Sequence, residues 1–476
     1  MIARVELFPG RYHDSVRLMQ ASKALQDVPG IEDALVAMAT ELNLSLLEDM
    51  GFDMAQAADA GVNDLVLALR AEEEEAIVTA HHVLDEALRH KATDSGGLDA
   101  PDPKTVGTAA AAGEANIALL SVPGEHAFVE AMEALETGRH VMIFSDNVPV
   151  DQELILKRRG AALDLLVMGP DCGTAVVNGL GLGFANSVSP GPVGIVGASG
   201  TGIQQMLCLL DDAGVGVRHA LGTGSHDLSE AIGAISTLQG LAALDDDPSV
   251  DVISVISKPP AAPVAARVRA AAAECAKPVV ITFMGEATLE EGAGKVLAKL
   301  GKAAPAYASW QVDQDAHRPG TVRGLFSGGT LRDEARFIAM PVLGQIGRTE
   351  EDHGHTFIDY GDDEYTQGRA HPMIDQTVRV ERLEAAATDS SVGVILMDVV
   401  LGYGANADPA AELAPMIEQA VAAGAAVVIS LCGTRGDPQN RDTQAAALHA
   451  AGASVWLSNA AAAMEAARLA MTRIAV

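Results

Sequence analysis

The sequence is poor in aromatic residues, in cysteine and in basic charge. Phe, Trp and Tyr make up only 3% of its 476 residues, which argues against a β-sandwich packed around aromatic rings. The four cysteines form no CxxC pair, so we expect reduced thiols, no disulfide framework and a cytoplasmic protein. Lysine and arginine number 32 against 64 acidic residues, for a net charge of −32. Such a surface repels nucleic acids and anionic membranes, so neither is an expected partner.

Long apolar runs and targeting patterns are also missing. No stretch of about 20 uninterrupted apolar residues occurs, so no membrane-spanning helix is predicted. The first residues, MIARVELFPGRYHDSV, lack the charged and then apolar pattern of a signal peptide. Apolar residues nevertheless make up 49% of the chain, which is enough for several hydrophobic cores.

Strand-like and helix-like runs alternate along the chain, as they do in α/β proteins. The runs ARVELF, DALVAMA and DLVLALRA, together with two helical stretches, predict a small α+β domain of ferredoxin-like type over residues 1–100. A linker is predicted at the Gly-, Pro- and Asp-rich stretch DSGGLDAPDPKT. Residues 101–188 then contain three strand candidates and two helices, which predict a Rossmann-like unit.

Two flavodoxin-like domains are predicted to follow. Residues 189–320 contain the strand candidates VGIVG, VRHALGTG, DVISVIS and PVVITF, which predict one parallel sheet. Residues 321–476 repeat the rhythm with IAMPVLG, VGVILMDVV, AAVVISLCG and ASVWLS. Between these runs, residues 301–335 are predicted to be irregular and polar. The predicted fold is therefore α/β, with a small α+β cap and three parallel-sheet units.

Two strand candidates end in glycine-rich turns that begin helices. In GIVGASGTGIQQM, Ser199 and Thr201 are typical helix-capping residues, and the helix is predicted to begin near Ile203. In the second turn, Asp408 is the predicted N-cap, with Pro409 at the first helical position. A helix N-terminus attracts anions, so an anion site and a plain strand-to-helix turn both remain open. The candidate phosphate-binding residues are Ser199, Gly200, Thr201, Gly202, Gly402, Tyr403, Gly404 and Asn406.

Several motifs in the sequence resemble those of a known family. The segment from VPGEHAFVEAMEALETG to GPVGIVGASGTGIQQM, with its GPDC loop and SGT turn, resembles the α subunit of succinyl-CoA synthetase and other ADP-forming acyl-CoA synthetases. VGVILMDVVLGYG resembles the C-terminal domain of their β subunit, where the matching turn is FGG. The resemblance implies a CoA-binding-type domain over 101–188 and one phosphoryl group held between both turns. With RGLFSGGTLRDEA, GRAHPMID and CGTRGDPQ, the whole chain resembles the FdrA family.

The sequence departs from the synthetases in three places. The segment PVVITFMGEATLEEGAG lacks the phosphohistidine of the GHAG loop, and GTAAAAGEAN stands in place of the GFTGxQG coenzyme A loop. An ATP-grasp nucleotide domain is also missing. These three differences argue against bound coenzyme A. They favour a phosphorolysis reaction whose final product is an acyl phosphate. The resemblance to FdrA implies oxamate carbamoyltransferase chemistry, in which oxalurate and phosphate give oxamate and carbamoyl phosphate.

Because phosphate is then the nucleophile, no Ser–His or Cys–His pair is required. Polar residues in loops after strands are the catalytic candidates, and an Arg–His loop suits a carboxylate such as that of oxamate. These candidates are His226, Asp227, Arg369, His371 and Arg435, with Asp171 and Cys172 in the GPDC loop. For His226 and Asp227, a surface histidine beside a capping aspartate is an equal alternative. Cys172 is expected to be a small loop residue. No metal site is predicted, and carboxylate-bound magnesium is compatible with the sequence.

Three functions remain open from the sequence: a phosphorolytic carbamoyl- or acyltransferase subunit, a CoA-dependent ligase whose missing parts lie on partner chains, and a non-catalytic scaffold. The expected partners are a small-molecule substrate, phosphate and companion subunits, and we expect the chain itself to form a homodimer.

Overall fold

The computed structural model describes residues 2–11, 13, 15–57, 60–61, 63–88, 103–312, 318–366 and 370–471. They divide into two compact units. One unit comprises residues 1–109 with the short segments 121–123 and 366–370, and the other comprises the remaining residues.

The first unit is a three-stranded antiparallel sheet covered by helices. Its central strand is buried on both faces: Leu65, Leu67 and Leu69 pack into one core, and Val66 and Ala68 pack into another. The order of elements follows a ferredoxin-like β-α-β-β-α succession with one extra helix, α2, that the sequence does not predict. The strands are β1 (Ile2–Phe8), β2 (Ile31–Met38) and β3 (Leu65–Ala71) in the order β1-β3-β2, and the helices are α1 (Ser15–Gln26), α2 (Glu41–Asp49) and α3 (Glu74–Leu88), with a 3₁₀ turn at Met54–Ala57.

The second unit contains three sheets. The first is a small parallel sheet in the predicted Rossmann-like region, with strand order β4-β5-β6. Its elements are β4 (Ile117–Leu120), β5 (His140–Ile143) and β6 (Val167–Met168), with α5 (Gly124–Glu136) and α6 (Val150–Ala162) between them; α4 (Val106–Ala112) lies at the division between the units.

The second sheet has six strands in the order β12-β11-β9-β10-β7-β8. Strands β9 to β12 are parallel, so the prediction of one parallel sheet in this region is confirmed, and the hairpin β7–β8 adds an antiparallel edge. The elements are β7 (Thr174–Val177), β8 (Leu180–Gly183), β9 (Val193–Ala198), α7 (Gly200–Asp212), β10 (Val217–Gly222), α8 (Ile235–Asp246), β11 (Val252–Ser257), α9 (Ala262–Glu274), β12 (Val279–Phe283) and α10 (Leu289–Lys299).

The third sheet has seven strands in the order β13-β19-β18-β17-β14-β16-β15, all parallel except β13. Its elements are β13 (Ser309–Trp310), β14 (Thr321–Phe326), α11 (Gly329–Leu343), β15 (Ile346–Gly347), β16 (His355–Asp359), α12 (Asp363–Thr366), α13 (Thr377–Thr388), β17 (Val392–Val400), α14 (Pro409–Ala422), β18 (Ala426–Cys432), α15 (Arg441–Ala450), β19 (Ser454–Trp456) and α16 (Asn459–Ala470). Helix α7 is buried from Thr201 to Leu210 because it packs between this sheet and the six-stranded one.

Three sequence predictions are wrong in this unit. IAMPVLG is not a strand, because it lies at the C-terminal end of α11. Two of its apolar residues, Met340 and Val342, are on an exposed face of this helix. The prediction that residues 301–335 are irregular is wrong from Thr321 onward, where the interior strand β14 and the start of α11 lie, whereas residues 301–308 are irregular as predicted. Position 324 in β14 requires glycine, because a Cβ there would lie 2.7 Å from the Phe357 ring. This glycine interrupts the apolar run from which the strand could have been predicted. Helix α7 begins at Gly200 and not near Ile203.

Candidate functional site

The carboxyl ends of β9 and β14 bring two glycine-containing turns into contact. The Ser199 hydroxyl accepts a hydrogen bond from the Gly202 N–H at 3.0 Å, as expected for an N-cap of α7. The same hydroxyl lies 2.6 Å from the Thr330 hydroxyl at the start of α11. A Cβ on Gly328 would lie 2.7 Å from Thr201 Cγ2, so the two backbones meet closely. We call residues 199–202 and 327–330 the paired turns.

Cationic groups surround the paired turns. Each helix N-terminus carries about half a positive charge from the helix dipole. Lys258 directly follows Ser257, which pairs with Ala198 of β9, so the lysine lies beside Ser199 at this edge of the sheet. Its Nζ lies 3.3 Å from the position that a Cβ on Gly329 would occupy.

Two buried aspartates lie under the turn at 327–330. Asp398 is fully buried, accepts hydrogen bonds from the backbone N–H and the hydroxyl of Ser327, both at 2.8 Å, and lies 3.4 Å from Arg379. It therefore holds the turn in place. Asp359 ends β16 with its Oδ2 2.6 Å from the Cβ position of Gly329. Burial raises the pKa of Asp359 to about 6, and the opposing cations include Arg332 and Lys258.

His371 belongs to the same neighbourhood. Its Nδ1 accepts a hydrogen bond from the Met373 N–H at 3.2 Å, which assigns the ring proton of the neutral form to Nε2. Burial lowers the pKa of His371 to about 4, and the Arg379 charge acts in the same direction, so the ring is neutral at pH 7. A Cβ on Gly361 would lie 2.6 Å from both the His371 Nε2 and the Ser327 carbonyl oxygen. The neutral imidazole thus stands next to one paired turn.

Phe184 and Thr174 connect His371 to the other paired turn. The Phe184 and His371 ring centroids are 5.9 Å apart. The Thr174 hydroxyl donates to the Phe184 carbonyl oxygen at 2.7 Å and lies 3.5 Å from the Cβ position of Gly200. The predicted residues Ser199, Gly200, Thr201 and His371 are therefore brought together.

The second predicted phosphate turn, residues 402–406, has other contacts. The Gly402 N–H donates to the Gln439 side chain at 3.1 Å, the Tyr403 N–H to the Ala185 carbonyl at 2.9 Å, and the Asn406 N–H to the Met373 carbonyl at 2.7 Å. These three N–H groups are thus bonded within the protein. Gly404 packs near the Phe184 ring. Tyr403 lines a cavity of about 200 Å³ with Gly179, Leu180, Gly181, Asn186 and Ser187. An anion at this turn stays a prediction, whereas the segment in contact with Ser199 is the turn at 327–330.

Asp227 has the contacts of a capping residue. It is fully buried, and its two oxygens accept hydrogen bonds from the N–H groups of Ser236 and Thr237, from the Thr237 hydroxyl and from Lys157. The neighbouring His226 is half-exposed, with Nδ1 3.3 Å from a carboxylate oxygen of Glu153. The capping interpretation of this pair therefore agrees with the structure.

The remaining candidates are Cys172, Asp171, Arg435 and Arg369. Burial raises the pKa of the Cys172 thiol to about 12, which keeps it protonated and excludes a thiolate nucleophile. Asp171 is exposed, with its N–H bonded to the Ser145 carbonyl. Arg435 is exposed and pairs with Asp442 at 2.7 Å. Arg369 lies outside the described residues. No group of three His, Cys, Asp or Glu residues in the described part of the chain could hold a metal.

Lys258, Asp359 and Thr330 are the functional candidates that sequence reasoning misses. Each is a polar residue at, or just after, the carboxyl end of a buried parallel strand. That position is the available signal, because ligands of open α/β sheets bind at this edge.

Comparison with known proteins adds the family. The chain is 39% identical over 466 residues to the uncharacterized protein YahF of Escherichia coli (strain K12), covering 90% of this chain and 89% of YahF. This chain belongs to the FdrA family. Family models match residues 1–103 (AllF, heavy metal-associated domain), 188–285 (CoA binding domain) and 325–469 (CoA-ligase). In this FdrA-family chain, the region matched by the CoA binding model contains the paired turn at 199–202, and the region matched by the CoA-ligase model contains the turn at 327–330. Residues 1–103, which match the heavy metal-associated model, contain no cysteine.

More distant relatives of the FdrA-family chain include subunits of ADP-forming succinate–CoA ligases. Subunit alpha 1 of the ADP-forming succinate–CoA ligase of Archaeoglobus fulgidus is 24% identical, over 50% of this chain and 74% of the relative. The crystal structure of PH0766 from Pyrococcus horikoshii OT3 is 13% identical, covers 75% of this chain and 85% of that chain, and has a TM-score of 0.32. The FdrA-family chain is acyl-CoA-ligase-like. Within its described residues, every helix is too short or too polar to cross a membrane.

Proposed function

We propose that this chain is the subunit of a transferase in which inorganic phosphate attacks a carbamoyl group, converting oxalurate to oxamate and carbamoyl phosphate. A phosphate oxygen forms a bond to the carbamoyl carbon, the bond from that carbon to the oxamate nitrogen breaks, and this nitrogen takes up a proton. The observation that carries the proposal is the contact of two helix N-termini at Ser199 and Thr330, with Lys258 beside them.

The residues at the paired turns suit this reaction. Two helix N-termini and a lysine hold the charge of phosphate and of the transition state without needing a side-chain nucleophile. His371, neutral and with its proton on Nε2, is suited to donate a hydrogen bond to a substrate oxygen.

The loop after β12 supports a reaction that ends at the acyl phosphate. In the synthetases a histidine collects the phosphoryl group, but residues 284–288 contain none. Glu286 in this loop is exposed and forms an ion pair with Arg269 at 2.5 Å. Coenzyme A is therefore not part of the proposed reaction, and companion subunits, which the family resemblance implies, would complete the enzyme.

A second candidate is a subunit of an ADP-forming acid–CoA ligase. It is favoured by the matches to the CoA-ligase and CoA-binding family models. This function would require another chain to supply the phosphohistidine and the nucleotide site.

The two candidates are separated by their products. The chain, alone and together with the proteins that co-purify with it, is given oxalurate and phosphate, and carbamoyl phosphate is trapped by coupling to citrulline formation. Formation of carbamoyl phosphate without coenzyme A supports the proposal. Thioester formation from ATP, coenzyme A and an acid supports the ligase instead. Full activity of a Thr201→Val variant in the same complex would favour a scaffold role for this chain.

A further inference from the structure

One carboxylate oxygen beside the paired turns has no donor among the described residues. Asp359 is only 8% exposed, and its Oδ1 accepts a hydrogen bond from the Gly361 N–H at 3.0 Å. Its Oδ2 faces Gly329, and no described residue donates to it. This oxygen can therefore accept a hydrogen bond from a donor that a ligand supplies.

An unpaired cation lies at the same glycine. Lys258 is partly buried, and its Nζ forms neither a hydrogen bond nor an ion pair with any described residue. Lys258 Nζ and Asp359 Oδ2 both lie within 3.3 Å of the point that a Cβ on Gly329 would occupy. Because residue 329 has no side chain, the space beside it is bounded on one side by the Lys258 ammonium group and on the other by the Asp359 Oδ2 atom.

We propose that this space binds monohydrogen phosphate and selects it against sulfate, with Lys258 bound to an unprotonated oxygen and Asp359 Oδ2 accepting a hydrogen bond from the P–OH group. The inference rests on the proposed function, in which phosphate is the attacking group, and adds the protonation state in which it is held.

The selectivity follows from what each group can donate. An ionised carboxylate only accepts hydrogen bonds, and an ammonium group only donates them. Near neutral pH, inorganic phosphate carries at least one P–OH, whereas sulfate carries no proton. Sulfate would therefore place a bare oxygen against Asp359 Oδ2, and the two would repel each other. The charged groups around Asp359 are Arg332 of α11, Lys258 after β11, Asp398 of β17 and Arg379 of α13.

A structural role is the alternative for both residues. Asp359 could serve only to balance the N-terminus of α11 and the nearby arginines, and Lys258 could serve only to balance Asp359. In that case removing either residue would change the free energy of unfolding without changing the preference between the two anions.

The test is calorimetric titration of the full chain with phosphate and with sulfate at neutral pH and constant ionic strength. For the unmodified chain we expect phosphate to bind at least about tenfold more tightly than sulfate. Asp359→Asn should reduce that ratio to about threefold or less, because a carboxamide can donate to sulfate. Lys258→Met should weaken phosphate binding by at least about tenfold. Two exposed residues provide matched controls, Asp246→Asn and Lys295→Met, and both should bind as the unmodified chain does.

Equal binding of both anions by the unmodified chain would overturn the inference, as would a Lys258→Met variant that binds phosphate normally. Should Asp359→Asn fail to fold, the Lys258→Met result and the anion ratio of the unmodified chain still decide. Failure of the proposed function has a different signature. Phosphate would then bind selectively, but no carbamoyl phosphate would form from oxalurate.

Discussion

Asp359 and Asp227 are both buried carboxylates, but the protein uses their oxygens differently. Both oxygens of Asp227 are occupied by donors from α8 and by Lys157, so this residue has no acceptor left for a substrate. Asp359 keeps one oxygen to which no residue in the described part of the chain donates. At the scale of single residues, a carboxylate oxygen that can still accept a hydrogen bond therefore distinguishes the candidate functional residue Asp359 from the structural residue Asp227.

Asp227→Ala should destabilise the fold without altering the anion site. The change leaves two N–H groups and a hydroxyl without their acceptor and removes one partner of the buried Lys157, so we expect a loss of about 3 kcal/mol in the free energy of unfolding. His226→Ala is the neighbouring control and should cost no more than about 0.5 kcal/mol, because its ring is half-exposed. Urea unfolding measures both changes, and a catalytic role for Asp227 would instead appear as lost activity at unchanged stability.

The preference between phosphate and sulfate should depend on pH. Burial raises the pKa of Asp359 to about 6, so the carboxylate that repels sulfate is present above that value and is lost as the pH falls through it. Protonated Asp359 can donate to sulfate, so sulfate should bind more tightly at about pH 5 than at neutral pH. The groups facing Asp359 that set this behaviour are Arg332, Lys258, Asp398 and Arg379. Titrations repeated across this range test the expectation, which a pH-independent affinity for sulfate would contradict.

At the scale of elements, two similar strand–turn–helix units meet tip to tip. The sequence predicts the first, β9 and α7, because VGIVG is a continuous apolar run that lies buried between helices. It does not predict the second, because Gly324 interrupts β14 and the apolar residues of α11 are partly on its exposed face. The sequence thus predicts one of the two turns that meet here, whereas in the Gly402 turn that it offers as the other half, three N–H groups are bonded to the protein. Anion binding at either turn stays a prediction. Tertiary contacts, such as Ser199 with Thr330, are not contained in any local pattern.

Gly328→Ala should disturb the contact of the two elements. The added methyl group would lie 2.7 Å from Thr201 Cγ2, so one turn must move, which we expect to cost about 1–3 kcal/mol and to weaken phosphate binding. Gly200→Ala is the control within the other turn, because its methyl group would meet nothing closer than the Thr174 hydroxyl at 3.5 Å. Thermal unfolding and phosphate titration of both variants test this, and equal behaviour of the two would contradict it.

Helices α10, α11 and α16 meet at a buried carboxyl group, Glu334. It accepts hydrogen bonds from the Leu289 N–H at 2.5 Å and the Asn459 side chain at 2.7 Å, yet burial raises its pKa to about 7. The folded state then binds the proton more tightly than the unfolded state, so this group favours folding at low pH and its contribution falls as the pH rises from about 4.5 to 7. Glu334→Gln stays neutral and should lose less stability than the unmodified chain over this window, as measured by urea unfolding at several pH values.

At the scale of the whole molecule, composition and rhythm predict the α/β class, and the motifs predict the family. The low aromatic content and the buried apolar strands are properties of the entire chain. The predicted fold class therefore remains correct even where a single element is predicted wrongly. The arrangement of three sheets in one unit could not be predicted, since it depends on which faces of α7 and α11 are buried. The hetero-complex and the homodimer remain proposals.

Ser199 and Thr330 are separated by 131 positions in sequence but belong to one polypeptide. Their encounter is therefore intramolecular, and its effective concentration is set by the fold rather than by the amount of protein in solution. An anion site that is shared between two subunits loses affinity on dilution as the subunits separate. Here the phosphate affinity per chain should stay constant as the protein is diluted, even when dilution removes companion subunits and their contribution to turnover.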